Sequence, residues 1–451
     1  MRMIRPLLQV SAAVGALALI PVTTGAMASV DTSSYRELDA FMDVYTRVKA
    51  AYVEKVDDKT LIKGAIDGML ASLDPHSSYV DALAFDNLRL ATDGNYGGLG
   101  LSVTLEDGAV KVITPTEETP AWKAGIKAGD YITHLDGKLI YGGTLDEAIT
   151  QMRGAPGTKI TVRIVRPGRD KPFDVTLTRE TIVQKAVKWE VQDGIGILNI
   201  NTFSATTAAD MRAGIAEIEK QLGGKPKGYV IDLRGNGGGL LNQAIEVSDA
   251  FLTHGEIVSQ RGREKSDIER WYAESAIRGD LTRGVPLVVL VDAGTASASE
   301  IVAGALQDHH RALVLGEKTF GKGSVQSLLQ LGPRTALRLT TARYYTPSGR
   351  SVQEGGIEPD LAVPQISDPD YKTRPVFREA DLRRHLINET KVDNAVLEED
   401  TKTDPRFAAT PAELEKKGIK DFQLHYALQT IARTAAPARV AGGGPAKAGK
   451  R

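Results

Sequence analysis

The chain has 451 residues, of which 42% are hydrophobic, with Lys+Arg 56 against Asp+Glu 57 and a formal net charge of -1. That length suits about two to four domains, the apolar share is that of globular proteins, and the balanced charge gives no case for nucleic acid as a partner. The absence of cysteine removes thiol nucleophiles, thiolate metal sites, disulfides and lipid attachment at an N-terminal cysteine.

The chain opens with Arg2 and Arg5, an apolar stretch from Leu7 to Val22, and the small-x-small site Ala26-Met27-Ala28 before Ser29. This three-part pattern reads as a secretory signal peptide over residues 1–28. It implies export to the periplasm or cell envelope, in a form that is soluble after cleavage or at most peripheral to the membrane. Residues 29–92 are expected to be helical. Leu38, Phe41, Met42, Val44, Tyr45 and Val48 recur at helical spacing, as do Leu61, Ile66, Met69 and Leu70. The turn Asp74-Pro75-His76-Ser77-Ser78-Tyr79 breaks that pattern. Such a leader is read as packing or dimer surface, without chemistry of its own.

Residues 93–183 change texture. Alternating runs at 109–113 and 160–165 predict strands, and 119–125 and 145–149 predict two short helices. Residues 184–366 read as α/β. Strands are expected at 194–200, 228–233 and 287–291, with helices at 207–222, 240–252 and from Ser299 to Leu306. Strand, glycine turn, helix, strand implies crossover units and a largely parallel sheet. Residues 367–435 read as a helical extension and 436–451 as a disordered Gly/Ala/Lys-rich tail.

Three segments of the α/β region carry candidate chemistry. Gly294-Thr295-Ala296-Ser297-Ala298-Ser299-Glu300 follows a buried strand and opens a helix. A hydroxyl there sits at the carboxyl edge of the sheet, where helix N–H groups favour an oxyanion. Read locally, Ser297 and Ser299 are equally helix caps. A serine nucleophile needs a base, and His309 and His310 fall too late in the same helix to supply it. Lys322, between Gly321 and Gly323, is the next candidate, although it also reads as a loop cation. As a base it must lose its proton near neutral pH, a shift of roughly three units or about 4 kcal/mol, which burial can supply. Gln326 shares its face if the run is extended. Asp232-Leu233-Arg234-Gly235-Asn236-Gly237-Gly238-Gly239 can turn backbone N–H groups toward an oxyanion or a phosphate.

Together these motifs resemble the C-terminal processing peptidase, or tail-specific protease, family. The resemblance rests on residues 294–301, 304–308, 316–323, Gln326, 232–236 and the leader turn 73–79. It implies a multidomain α+β and α/β protein: a helical N-terminal region, a PDZ-like β-rich module and a crotonase/Clp-protease-like α/β catalytic core. It implies a serine endopeptidase acting near protein C-termini through a Ser–Lys dyad, with no metal or cofactor. Ser297 would be the nucleophile, Lys322 the base and Gln326 a hydrogen-bonding partner of the lysine amine. Ala298 N–H, with one from Gly238 or Gly239, would form the oxyanion hole. Gly237 stands where the family often has proline, which leaves the choice of glycine N–H open.

The middle module resembles a PDZ domain. Its carboxylate-binding loop would be Tyr96-Gly97-Gly98-Leu99-Gly100-Leu101, with Arg153 contacting the bound chain end. Substrates would be proteins or peptides with exposed C-termini, with a second copy of the chain or an adaptor as further partners. Two other readings compete: a catalytically inactive PDZ scaffold, against which the complete Ser297, Lys322, Gln326 set argues, and a crotonase-like acyl-thioester enzyme, against which the signal peptide argues.

Overall fold

The computed structural model describes residues 32–435 except 107, 141–144, 170, 184, 275–278 and 390–403. The expected signal peptide and the expected disordered tail lie outside the described residues. The chain divides into two units, Met1–Ile66 and Asp67–Arg451. In the first, α1 (Thr32–Ala51) leaves Leu38, Phe41, Met42, Val44 and Val48 exposed. Helix α2 (Asp58–Ala71) follows.

The second unit begins with the leader turn, strand β1 (Ser78–Val80) and helix α3 (Ala82–Thr92). Strand β2 (Asn95–Gly98) then opens a module built from β3 (Leu101–Glu106), β4 (Ala109–Pro115), α4 (Pro120–Lys123), β5 (Tyr131–Leu135), β6 (Lys138–Leu139), α5 (Leu145–Met152), β7 (Lys159–Val165) and β8 (Phe173–Thr178). Its sheet runs β3-β4-β5-β7-β8, with β6 on β5. Period-two alternation explains the core: Ile160, Val162 and Ile164 of β7 are buried while Lys159, Arg163 and Val165 are exposed. Strand β9 (Glu180–Val183) pairs antiparallel with β2 and closes the module where it began.

The remaining chain forms two sheets. Strands β10 (Val187–Gln192), β11 (Ile195–Ile200), β12 (Tyr229–Asp232), β15 (Leu287–Val291), β16 (Leu313–Gly316) and β19 (Leu361–Ala362) lie side by side in that order. All neighbours are parallel except β10 with β11. Every residue of β12 and β15 is buried, as a sheet covered on both faces requires. One face packs on α6 (Thr207–Leu222), α7 (Leu241–Asp249) and α8 (Ala298–Asp308), through Met211, Val247 and Val302 against Ile231 and Val289. The alternate residues Val230, Val288 and Leu290 meet Leu414 of α9 (Pro411–Lys416) and Leu428 and Ile431 of α10 (Phe422–Ala435). The C-terminal helices therefore cover the second face of the parallel sheet, whereas the sequence set residues 367–435 apart. Arg234, paired with both Asp232 (2.6 Å) and Asp421 (2.7 Å), ties the glycine loop to this layer.

The second sheet was not read from the sequence. It holds β13 (Glu256–Arg261), β14 (Ile268–Tyr272), β17 (Ser324–Gly332) and β18 (Thr335–Tyr345), in the order β1-β18-β13-β14 with β17 also on β18. Through this pairing Ser78 of the leader lies opposite Arg338.

Candidate active site

The turn after β15 is fixed before Ser297 is reached. Thr295 Oγ1 donates to Leu233 O (3.0 Å) and accepts from Asp292 N (2.9 Å), and Ala296 N donates to Asn236 O (3.0 Å). Ser297 is held at φ 56 and ψ -114, a left-handed conformation unusual outside glycine. It occupies the N-cap position of α8, paired with Glu300 in the spacing of a capping box, but only its N–H is bonded there and its hydroxyl makes no hydrogen bond among the described residues. The hydroxyl is thus not spent on the helix. Ser299 is the residue that is spent: buried, it donates to Asn236 O (2.9 Å).

Ser297 lines a cleft of about 620 Å³. Phe85, Leu88 and Arg89 of α3 form one wall, and Gln326, Leu328, Arg338 and Tyr344 of the antiparallel sheet form another. The glycine loop closes it. Gly238 and Gly239 have φ of 99 and 146, in the range that favours glycine. A Cβ on Gly238 would come within 2.9 Å of Ala298 N and of Ser297 Cβ, so the loop touches the serine turn. A side chain at Gly237 would meet open space, so Gly238 and Gly239 dictate the loop's shape. Gly238 N–H is taken by Asn236 Oδ1 (2.9 Å). The N–H groups of Gly239 and Ala298 donate to nothing among the described residues.

The lysine loop is tied to the serine turn by the backbone bond from Phe320 N–H to Thr295 O (3.0 Å) and by the side chain of Glu300. This carboxylate is 0% exposed. Its Oε2 accepts from Ser297 N–H (2.7 Å) and from Lys322 N–H (2.9 Å). Its Oε1 accepts from Thr319 Oγ1 (2.5 Å) and Gly321 N–H (2.7 Å). Burial pushes the Glu300 carboxyl up to about 7, against the pull of these donors. Gly323 is required because a Cβ there would strike the backbone of Gln353. Burial lowers the pKa of the Lys322 amine below the usual lysine value. Glu379 opposes that shift, Arg338 adds to it, and Glu300 and Asp74 oppose it.

No hydrogen bond among the described residues joins Ser297 Oγ to Lys322 Nζ, and Gln326 does not hold the lysine. Gln326 Nε2 instead donates to Ser324 Oγ (2.9 Å) and Thr340 Oγ1 (3.3 Å). Two features defeat the simple alternation. Regular strand begins only at Ser324, and a bulge between Val325 and Gln326 re-aims the side chain. The leader turn also enters this network: Thr340 Oγ1 donates to Asp74 Oδ1 (3.1 Å) and Thr340 N–H to Ser77 Oγ (3.2 Å). Sequence reasoning missed Glu300, Asp74 and Thr340. The spacing Ser297-x-x-Glu300 was a signal for the first and the leader turn 73–79 for the second; nothing local marked Thr340.

In the β-rich module, Gly98, Leu99, Gly100 and Leu101 line a groove of about 150 Å³ with Tyr96, Ile149, Met152 and Arg153. Gly97 stands behind it, its backbone so close to Gly154 that no Cβ fits. The Arg153 guanidinium lies over the Tyr96 ring, 5.2 Å from its centroid. Buried Arg179 fixes the end of α5, donating to the carbonyls of Gln151 (2.8 Å) and Met152 (3.0 Å).

Family models match three parts of the chain: peptidase family S41 at residues 194–363, a PDZ domain at 97–177, and the N-terminal domain of the activating protease CtpB at 21–84. The carboxy-terminal-processing protease of Bartonella bacilliformis is 51% identical over 365 residues, covering 80% of this chain and 83% of that protein. The chain belongs to peptidase family S41. Two Bacillus subtilis members are also similar. The carboxy-terminal processing protease CtpB is 33% identical over 413 residues, or 90% of this chain and 83% of that one. Its counterpart CtpA is 36% identical over 341 residues, or 75% and 71%. This S41 chain is a serine-type peptidase with a PDZ domain, and neither the inactive scaffold nor the acyl-thioester enzyme is supported. Among the described residues no helix is long and apolar enough to cross a membrane.

Proposed function

We propose that this S41 peptidase is exported to the cell envelope and cleaves proteins near their C-termini with Ser297 as nucleophile and Lys322 as general base. One observation carries the reading. Ser297, with an unspent hydroxyl in a left-handed turn, and Lys322, with an amine biased toward its neutral form, bind through their N–H groups to the same Glu300 oxygen.

In the reaction, a side-chain rotation brings the neutral amine to the hydroxyl. Lys322 Nζ takes the proton from Ser297 Oγ as Oγ bonds to the peptide carbonyl carbon. The N–H groups of Ala298 and Gly239 take the oxyanion, each donor being worth about 3–4 kcal/mol. Gly238 shapes the hole rather than donating, because Asn236 occupies its N–H. The C–N bond then breaks, and the departing amine takes the proton from the Lys322 ammonium. Water, deprotonated by Lys322, hydrolyses the ester and restores Ser297. Gln326 lines the cleft and orders Ser324 and Thr340 beside the lysine loop.

The PDZ groove takes the substrate's C-terminal carboxylate on the loop 97–101, with Arg153 as its counter-charge. The exposed apolar face of α1 suits a second copy of the chain. Cleavage of an unfolded reporter by the wild type, Ser297→Ala and Lys322→Ala tests the dyad; equal cleavage by all three would sink it.

A further inference from the structure

A second buried carboxylate stands beside the lysine loop, and the reaction above does not use it. Glu379 lies in a short 3₁₀ turn, Glu379–Asp381, beyond the residues matched by the S41 family model, and is 0% exposed. Both of its oxygens are 2.9 Å from His76 Nε2, which comes from the leader turn. Gln353 bridges this pair to the loop: its Nε2 donates to Glu379 Oε1 (3.1 Å) and its Oε1 accepts from Gly323 N–H (3.1 Å). Glu379 N–H donates to Phe320 O (3.1 Å). Arg378 donates to the carbonyls of Lys318 and Thr319 (2.7 Å each). Two segments more than 300 residues apart in the chain thus meet on the loop that carries Lys322.

We propose that the His76–Glu379 pair is a positioning device for Lys322, holding its loop through Gln353 and Phe320 and tempering the carboxylate charge beside its amine. This rests on the reading of Lys322 as the base. A lone buried carboxylate at this place would favour the ammonium form, which cannot accept a proton. The His76 imidazole, with Nε2 2.9 Å from both carboxylate oxygens, draws part of that charge away from the amine through hydrogen bonding. Of the groups facing the amine, Glu379 is the foremost in favouring the ammonium form. Glu300 and Asp74 act the same way more weakly, and Arg338 on β18 opposes them. His385 faces Glu379 from the following turn but is itself bound to Glu354 (2.7 Å). His76 and Gln353 are the side chains bonded directly to the Glu379 carboxylate, and of the two only His76 reaches both of its oxygens.

The test is the pH profile of kcat/KM on one unfolded reporter for the wild type, Glu379→Gln and His76→Gln. Glu379→Gln keeps an acceptor for His76 and removes the charge, so the acid limb moves to lower pH. His76→Gln replaces the imidazole donor by a weaker amide donor and leaves more charge on the carboxylate, so the acid limb moves to higher pH. Each shift is on the order of half to one pH unit, with KM little changed. A structural role alone would lower the rate at every pH without splitting the two variants. Shifts in one direction, or a limb that stays in place, overturn the proposal. Labelling of Lys322 by acetic anhydride across pH, read by peptide mass, must show the same opposite displacements. Should Glu379→Gln fail to fold, His76→Gln still decides, since an upward shift is required of it. Lys322→Ala separates the two claims. If it keeps wild-type activity, the base assignment fails. If it is inactive while the limbs of the other variants stay in place, only the His76–Glu379 role fails.

Discussion

The PDZ groove and the catalytic cleft are built in opposite ways. The groove draws its residues from 96–103 and 149–153, all within one module with its own core. The site around Ser297 draws on the leader turn, α3, the glycine loop, the serine turn, the lysine loop, the β17–β18 hairpin and the 3₁₀ turn at Glu379. The groove is shaped by contacts inside that module, with the Arg153 guanidinium lying over the Tyr96 ring. The cleft surrounds Ser297 and the Lys322 loop with hydrogen bonds that converge on Glu300, Asn236 and Thr340. A binding site can therefore survive as a local fold, whereas this catalytic site depends on contacts distributed over most of the chain.

The largest expected effect tests whether the two regions are separable. Ser297→Ala and Lys322→Ala should each lower kcat/KM by roughly 10⁴-fold or more. Binding of a C-terminal peptide to the PDZ groove, followed by fluorescence polarisation, should be unchanged. Gly238→Ala comes next. Its Cβ would meet Ala296 O and Ala298 N at 2.8 and 2.9 Å in a left-handed backbone. A fall in kcat of about 10²–10³-fold is expected, as for loss of an oxyanion donor; a change confined to KM would refute that role for the loop.

Glu300→Gln probes the tie between serine turn and lysine loop. The amide has one acceptor oxygen for four donors, so a loss of about 10–100-fold in kcat/KM is expected. Stability gives a second reading. The folded carboxyl sits at about 7 against an ordinary 4.5, so the native state holds its proton more tightly than the unfolded chain. Its contribution is complete below pH 4.5 and is lost as pH rises to about 7, by roughly 3 kcal/mol. Urea unfolding at pH 4.5 and 7.5 should show that decline in the wild type and a flatter profile in Glu300→Gln. The smallest effect belongs to the groove. Arg153→Ala should weaken capture of peptides with a free C-terminus about tenfold and leave amidated peptides unaffected. Equal loss for both would remove the carboxylate role.

Local pattern carried the sequence reading a long way. The periodicity of β7, the apolar run of β15 and the helix at Thr207–Leu222 are each short-range signals, and the structure shows those elements. The serine turn and the lysine loop were legible because glycine and small residues mark sharp turns. Gln326 was placed on the face of Lys322 by alternation, which assumes a regular strand, whereas the pairing register shifts between Val325 and Gln326. His76 was passed over as a base or its support, since the search for a histidine looked near Ser297 in the chain.

The sequence by itself determined the module order and the glycine positions at which backbone must approach backbone, and through a family resemblance it put forward Ser297 and Lys322 as candidates. Only the tertiary structure decided what surrounds them. Glu300 looked like an ordinary helix-start residue until folding buried it and aimed four donors at its carboxylate. His76 and Glu379 had no visible relation until β1 and the C-terminal segment converged on the lysine loop. The physical reason is one of range. Helix, strand and turn preferences act over a few residues. Desolvation and charge pairing depend on neighbours that close packing supplies from anywhere in the chain.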